Sequence, residues 1–169
     1  MYYLGGVDNW MGGERFNYEN QIDPKGNQNY KFQANATNLR GFKQNVRNGN
    51  SMAVINTELR WPVVKYFASK PLKSSFLKNF QLIGFGDVGT AWTGSDPWSE
   101  DNDQIKEEIV QGETITIVLK KSNEPIVAGY GFGLRSALMG YFVRLDWAWG
   151  VENGIVRDRM FYFSLSLDL

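Results

Sequence analysis

"MAVINTELRWPV", residues 52–63, changes character at every step. Ala53, Ile55, Thr57, Leu59, Trp61 and Val63 form one face, and Met52, Val54, Asn56, Glu58 and Arg60 form the other. Successive side chains of a β-strand point to opposite faces, so a period of two over this length predicts a strand. Four more stretches read the same way: 79–92 (NFQLIGFGDVGTAW), 126–136 (IVAGYGFGLRS), 140–150 (GYFVRLDWAWG) and 160–169 (MFYFSLSLDL). Met1–Val7 reads as the tail of an earlier strand. In 140–150, Tyr141, Val143, Leu145, Trp147 and Trp149 share a face opposite Arg144, Asp146 and Ala148. In 160–169, Phe161, Phe163, Leu165, Leu167 and Leu169 lie opposite Tyr162, Ser164, Ser166 and Asp168. The fold class is all-β, with one greasy, aromatic sheet face and one small or charged face.

The connections separate the ways such a sheet can be built. Residues 8–51 are very long, 64–77 shorter, 93–125 long and acidic, 137–139 a tight turn, and 151–159 of medium length. Alternating long and short connections suit an antiparallel transmembrane β-barrel, whose outer loops are long and whose inner turns are short. Strands of about 9–11 residues span a bilayer. Trp61, Trp92, Trp147 and Trp149 fall near strand ends, where aromatic girdles belong. A soluble β-sandwich shows the same alternation and stays open as the other architecture. Within 107–119, "EEIVQGETITIVL" predicts an extra hairpin strand above the membrane.

Composition narrows the chemistry. The 169 residues suffice for one ordinary domain, and 18 basic residues balance 18 acidic ones, so no global field points to nucleic acid. Without cysteine there is no disulfide framework or thiolate metal site, and without histidine the commonest general base and metal ligand are missing. The N-terminal "MYYLGGVDNW" lacks the basic and apolar regions of a signal peptide. The chain reads as a piece of a larger protein.

Several local features ask for an account. "NLRGFKQN", residues 38–45, sets an Arg-Gly-Phe knot in a polar connection, the pattern of a loop tip that docks into something. Glu100, Asp101, Asp103, Glu107 and Glu108 lack the ligand spacing and central glycine of a calcium loop and read as a solvated acidic loop. Lys65, Lys70, Lys73 and Lys78 around 64–77 read as a solubilising turn, with lipid headgroups or a periplasmic partner as the alternative. "GYGFGL" is no nucleotide fingerprint, because its spacing is wrong and it lies within a strand.

"LGGVDNW", "LRGF", "FGDVGTAW", "GYGFGLR" and the amphipathic last strand together resemble the BamA/TamA (bacterial surface antigen) superfamily of outer-membrane barrels, in a Bacteroidota-like form. The resemblance runs over essentially the whole chain. It implies a barrel of about sixteen strands, of which residues 1–169 supply the last five or six. It also implies that the loop 8–51 folds back into the lumen. Leu39, Arg40, Gly41 and Phe42 then match the family's loop motif, and Phe85, Gly86 and Asp87 match the strand element that receives the arginine, with Glu58 placed to join. Gly129, Gly131 and Gly133 would clear space for the loop on the lumenal wall. Phe42 and Phe85 would pack over the ion pair. Family barrels usually end on an aromatic residue, whereas this chain ends on Leu169.

The implied function is insertion or translocation of proteins at the bacterial outer membrane, without enzymatic chemistry, metal or cofactor. The implied partners are outer-membrane lipid, the rest of the barrel (upstream residues or another chain), and periplasmic assembly factors or other outer-membrane proteins. The alternative is a barrel that only anchors an upstream propeller, carbohydrate-binding or hydrolase domain.

Overall fold

The computed structural model describes residues 2–6, 34–68, 73–99, 102, 105–111, 116–122 and 124–167, with the backbone alone for 34–36, 105–111 and 116–122. Three short strands come first. β1 (Tyr2–Gly5) lies between β2 (Ala34–Asn38), to which it is parallel, and β3 (Arg47–Gly49), to which it is antiparallel. Residues 2–5 are thus a strand, as the reading of Met1–Val7 expects, and form the middle of a small sheet separate from the principal one. The 8–33 part of the long loop lies outside the described residues.

The principal sheet is built from β4 (Ser51–Trp61), β5 (Gln81–Trp92), β8 (Val127–Leu138), β9 (Tyr141–Glu152) and β11 (Met160–Leu167), in that spatial order and antiparallel throughout. Between β4 and β5 run α1 (Val63–Phe67) and α2 (Ser75–Lys78). Between β5 and β8, β6 (Ile105–Gln111) and β7 (Thr116–Ser122) pair antiparallel in a two-stranded sheet of their own, where an extra hairpin strand is expected within 107–119. β10 (Ile155–Val156) pairs with the end of β9 on the edge that β11 then continues. Among the described residues the sheet is not closed: β4 lies at one edge, and β10 and β11 at the other.

Local chemistry sets the boundaries. β4 stops at Trp61 because Pro62 has no N–H to offer a ladder, so Val63 opens α1 instead of prolonging the strand. The turn placed at 137–139 is Met139-Gly140, with φ of 52° and 84°, and Leu138 faces Tyr141 across it. Positive φ at both central residues is the two-residue turn whose twist suits a hairpin. The medium loop 151–159 contains a second such turn at Asn153-Gly154, φ 52° and 72°, with Glu152 opposite Ile155. An Asn-Gly pair is the strongest short-range hairpin signal; it was legible in the sequence and the loop reading missed it.

The two faces of the sheet differ sharply. On one, Ile83, Phe85, Asp87 and Ala91 of β5, Arg135 of β8, Asp146 and Ala148 of β9 and Tyr162 of β11 are buried. On the other, Ile55 is 70% and Leu59 78% exposed, and Tyr130, Phe132, Leu165 and Leu167 are also bare. Val143, Leu145, Trp147 and Phe163 share this open face by register, and Trp147 stacks on Phe132 at 5.5 Å and meets Phe161 at 5.2 Å. A buried small-and-charged face with an apolar open face is the inverse of a soluble sheet. Asp168 and Leu169 lie outside the described residues.

Candidate functional site

The site starts from register. In the β4–β5 ladder Asn56 faces Asp87 and Glu58 faces Phe85, so Glu58 and Asp87 lie diagonally on one face. In the β5–β8 ladder Gly129 faces Asp87, and in the β8–β9 ladder Gly150 faces Gly129. The two carboxylates therefore border a bare patch, two strands wide, that no side chain fills.

Residues 40–42 lie over this patch. β1 holds them there: Leu39 N–H donates to Gly5 O (3.0 Å), Gly6 N–H to Phe42 O (3.0 Å) and Val46 N–H to Leu4 O (2.8 Å). Leu4, Leu39, Phe42, Val46, Ala91 and Val127 form the apolar cluster beneath the loop. Gly41 has φ +95°, and a Cβ on it would come 2.6 Å from the Gly150 nitrogen. Only glycine combines that conformation with that approach.

Arg40, 3% exposed, points into the wall. Its Nε donates to Asp87 Oδ2 at 2.6 Å and its Nη2 to Asp87 Oδ1 at 2.7 Å, a two-pronged contact. Its backbone N–H also reaches Asp87 Oδ2 at 3.2 Å, and Nη1 donates to Glu58 Oε1 at 2.5 Å. The Phe85 ring lies under the guanidinium, 3.7 Å from Cζ to centroid. Asp87 is fully buried, so its charge depends on Arg40 for compensation. Burial alone would lower the Arg40 pKa; hydrogen bonds and charge from Asp87, then from Glu58, more than reverse this and hold it above its ordinary value.

The expected residues fall into distinct positions. Arg40, Glu58, Phe85 and Asp87 meet in one contact. Phe42 does not cover the ion pair: its ring belongs to the apolar cluster and lies against Gly150. The three glycines of β8 also divide. A Cβ on Gly129 would strike the Arg40 carbonyl, whereas one on Gly131 would meet the Phe85 ring and the Trp147 carbonyl. One on Gly133 would meet Asp146 and Arg135. Gly129 thus clears the loop, while the other two clear the wall's own side chains. Phe161, Phe163, Leu165 and Leu167 lie along β11 on the open face.

Sequence reasoning missed four participants. The Tyr162 hydroxyl, buried in β11, accepts from Gly41 N–H at 2.9 Å and donates to Phe42 O at 2.9 Å, tying the last strand to the loop tip. Its signal was a large side chain on a face otherwise bearing Ser164 and Ser166. Gly150 gives the loop half of its clearance. Arg47 and Glu152, both buried, pair at 2.5 Å; Arg47 Nη2 also donates to Glu124 O at 2.6 Å, and Arg157 Nη2 to Glu152 at 2.8 Å. No local pattern links residues 47 and 152. A further chain of charge runs from Glu58 to Arg135 (3.6 Å) and on to Asp146 (2.5 Å), which also takes Arg144 Nε (2.9 Å). Among the described residues no group of three or more acidic side chains is arranged to hold a metal ion.

An antiparallel sheet that bares aliphatic and aromatic side chains on one face, and receives a loop through buried ion pairs on the other, is a wall segment of a transmembrane β-barrel. The Omp85 superfamily domain matches residues 2–168, and the chain belongs to that superfamily. It is a family of outer-membrane proteins that insert or translocate other proteins, working among proteins and lipids. No curated protein and no solved structure matches the chain significantly.

Proposed function

We propose that residues 1–169 are the C-terminal portion of a BamA/TamA-type barrel in the bacterial outer membrane, which inserts or translocates proteins there and performs no bond chemistry itself. The observation that carries this reading is the Arg40–Asp87–Glu58 contact. Arg40, Gly41, Phe42, Glu58, Phe85 and Asp87 act as a lock that keeps the loop inside the lumen, where it braces four strands from β4 to β9. Tyr162 extends that brace to β11. A wall braced from within can leave one seam weakly paired without collapsing, and a weak seam is where a client strand can add to an exposed edge. The edges at β4 and β11 need partners, because an open edge is not viable in lipid; upstream residues or another chain supply them.

The test is client insertion by the full-length protein in proteoliposomes. The wild-type protein is expected to accelerate folding of a simple outer-membrane barrel client into the bilayer. The Arg40→Ala variant is expected to lose most of that acceleration while still migrating as a folded barrel. If wild type and variant both leave client folding at the rate of empty liposomes, the barrel is an anchor for another domain, not an insertase.

A further inference from the structure

The connection between β4 and β5 is long for an inner turn, and its composition is one-sided. Residues 62–80, "PVVKYFASKPLKSSFLKNF", carry four lysines and no acidic residue. They also carry aromatics that the fold does not bury: Tyr66 is 77% and Phe67 75% exposed, and Phe76 and Leu77 are exposed as well. Turning in water needs neither feature, since barrels make their inner turns in a few residues.

Among the described residues, two contacts of this segment fall on the open face of the sheet. Phe67 meets Trp61, which belongs to the Ile55 and Leu59 face of β4, at 6.5 Å and 56°. The Phe76 carbonyl accepts the Ser136 hydroxyl at 2.7 Å. Ser136 shares its face of β8 with Phe132 and Leu134, opposite the buried Arg135. The described parts of the segment, 62–68 and 73–80, therefore meet the open face near its rim, at the end of the sheet that also bears the exposed Leu138, Met139 and Tyr141.

We propose that α1 and α2 form an interfacial anchor, lying in the bilayer surface at the inner rim. Tyr66, Phe67 and Phe76 sit at the boundary of the acyl chains, and Lys65, Lys73 and Lys78 reach anionic phospholipid headgroups. The inference rests on the reading of the principal sheet as a membrane wall. Its own support is continuity and charge. The aromatic side chains continue the apolar face past the end of the strands, and aromatic rings with a polar edge favour the headgroup level. Lysines keep their stems in the apolar boundary and their ammonium groups in water, where an anionic surface attracts them. With no carboxylate in the segment, nothing on it offsets that attraction.

The chain has no cysteine, so single nitroxide labels can be placed in a cysteine-free full-length protein at Ala68→Cys, Leu165→Cys and Asp158→Cys. The protein is reconstituted into phosphatidylcholine alone or an equal mixture with phosphatidylglycerol. The label at 68 is expected to be shielded from a water-soluble relaxation agent, less deeply than at 165, while the label at 158 is in water. In detergent, native mass spectrometry is expected to show phosphatidylglycerol retained in preference to phosphatidylcholine. The triple variant Lys65→Glu, Lys73→Glu and Lys78→Glu should lose that preference by about five-fold or more. A label at 68 as wet as that at 158, with 165 in lipid, overturns the anchor alone: the segment then faces the aqueous space, where a protein partner would meet it. An unchanged lipid preference in the triple variant also overturns it. A label at 165 in water overturns the anchor and the membrane wall together.

Discussion

Arg40 and Asp87 are each other's compensation. Asp87 is fully buried, and the Arg40 guanidinium meets it edge-on while resting on Phe85. Removing one partner leaves a buried charge unpaired, at a cost of about 3–5 kcal/mol. Arg40→Ala and Asp87→Ala are each expected to lower the unfolding free energy of the barrel by that order. The double variant should lose little more than either alone, because both deletions remove the same contact. Urea unfolding in detergent followed by tryptophan fluorescence measures all three, and additive losses would show that the two residues act independently. Tyr162 allows a finer test, since one hydroxyl satisfies a donor at Gly41 and an acceptor at Phe42. Tyr162→Phe should cost about 1–3 kcal/mol by stranding the buried Gly41 N–H, while the Phe42 carbonyl keeps the Gly6 N–H at 3.0 Å. It should also speed hydrogen exchange at the Gly41 amide; an amide as protected as in the wild type would mean the hydroxyl does not hold the loop tip.

Two strands, β8 and β11, show how alternation divides labour along an element. In β8, Gly129 stands where the Arg40 carbonyl passes, so Gly129→Ala must push the loop backbone away. The expected cost is about 1–3 kcal/mol, with weaker protection of residues 39–42 from protease. Gly84 of β5 points to the open face with nothing within 4 Å, so Gly84→Ala should change stability by less than about 0.5 kcal/mol. Equal effects at the two positions would contradict the close approach. In β11, Leu165 is bare on the apolar face while Tyr162 is buried on the other. Leu165→Arg is expected to cost about 2–4 kcal/mol near the bilayer midplane, read from the shift in unfolding midpoint in lipid vesicles. A neutral result would argue for a face bathed in water.

Across the molecule, the antiparallel order fixes which connections share an end. β4, β8 and β11 run one way and β5 and β9 the other, so 62–80 and 139–140 emerge at one rim, with 93–126 and 153–159 at the opposite rim. Cysteine variants at Met139 and Asp158 should therefore label differently in intact cells. A membrane-impermeant maleimide is expected to reach Asp158→Cys directly and Met139→Cys only after the outer membrane is permeabilised. Equal labelling of both from outside would invert or abolish the proposed orientation. The ion pairs follow the same division: Arg40 with Asp87 and Glu58 sits within the wall, and Arg47 with Glu152 and Arg157 sits toward the rim that carries the long connections.

The strands and their facing were legible because alternation is local. Glu58 and Leu59 must point opposite ways whatever else the chain does, and the same holds for Tyr162 and Leu165. Asn153-Gly154 was equally legible, since an Asn-Gly pair accepts positive φ at both positions without help from the rest of the molecule. The motif Leu39-Arg40-Gly41-Phe42 marked a docking tip, and resemblance to a family suggested its acceptors. Register and long-range packing were not legible. That Gly150 lies beside Gly129, that Tyr162 reaches the loop tip across 120 positions of sequence, and that Arg47 pairs with Glu152 depend on which strand pairs with which and at what offset. A strand's own sequence carries its face but not its partner. The partner is selected by the summed burial of a whole face and by the loop laid on it, so those contacts exist only once the sheet is assembled.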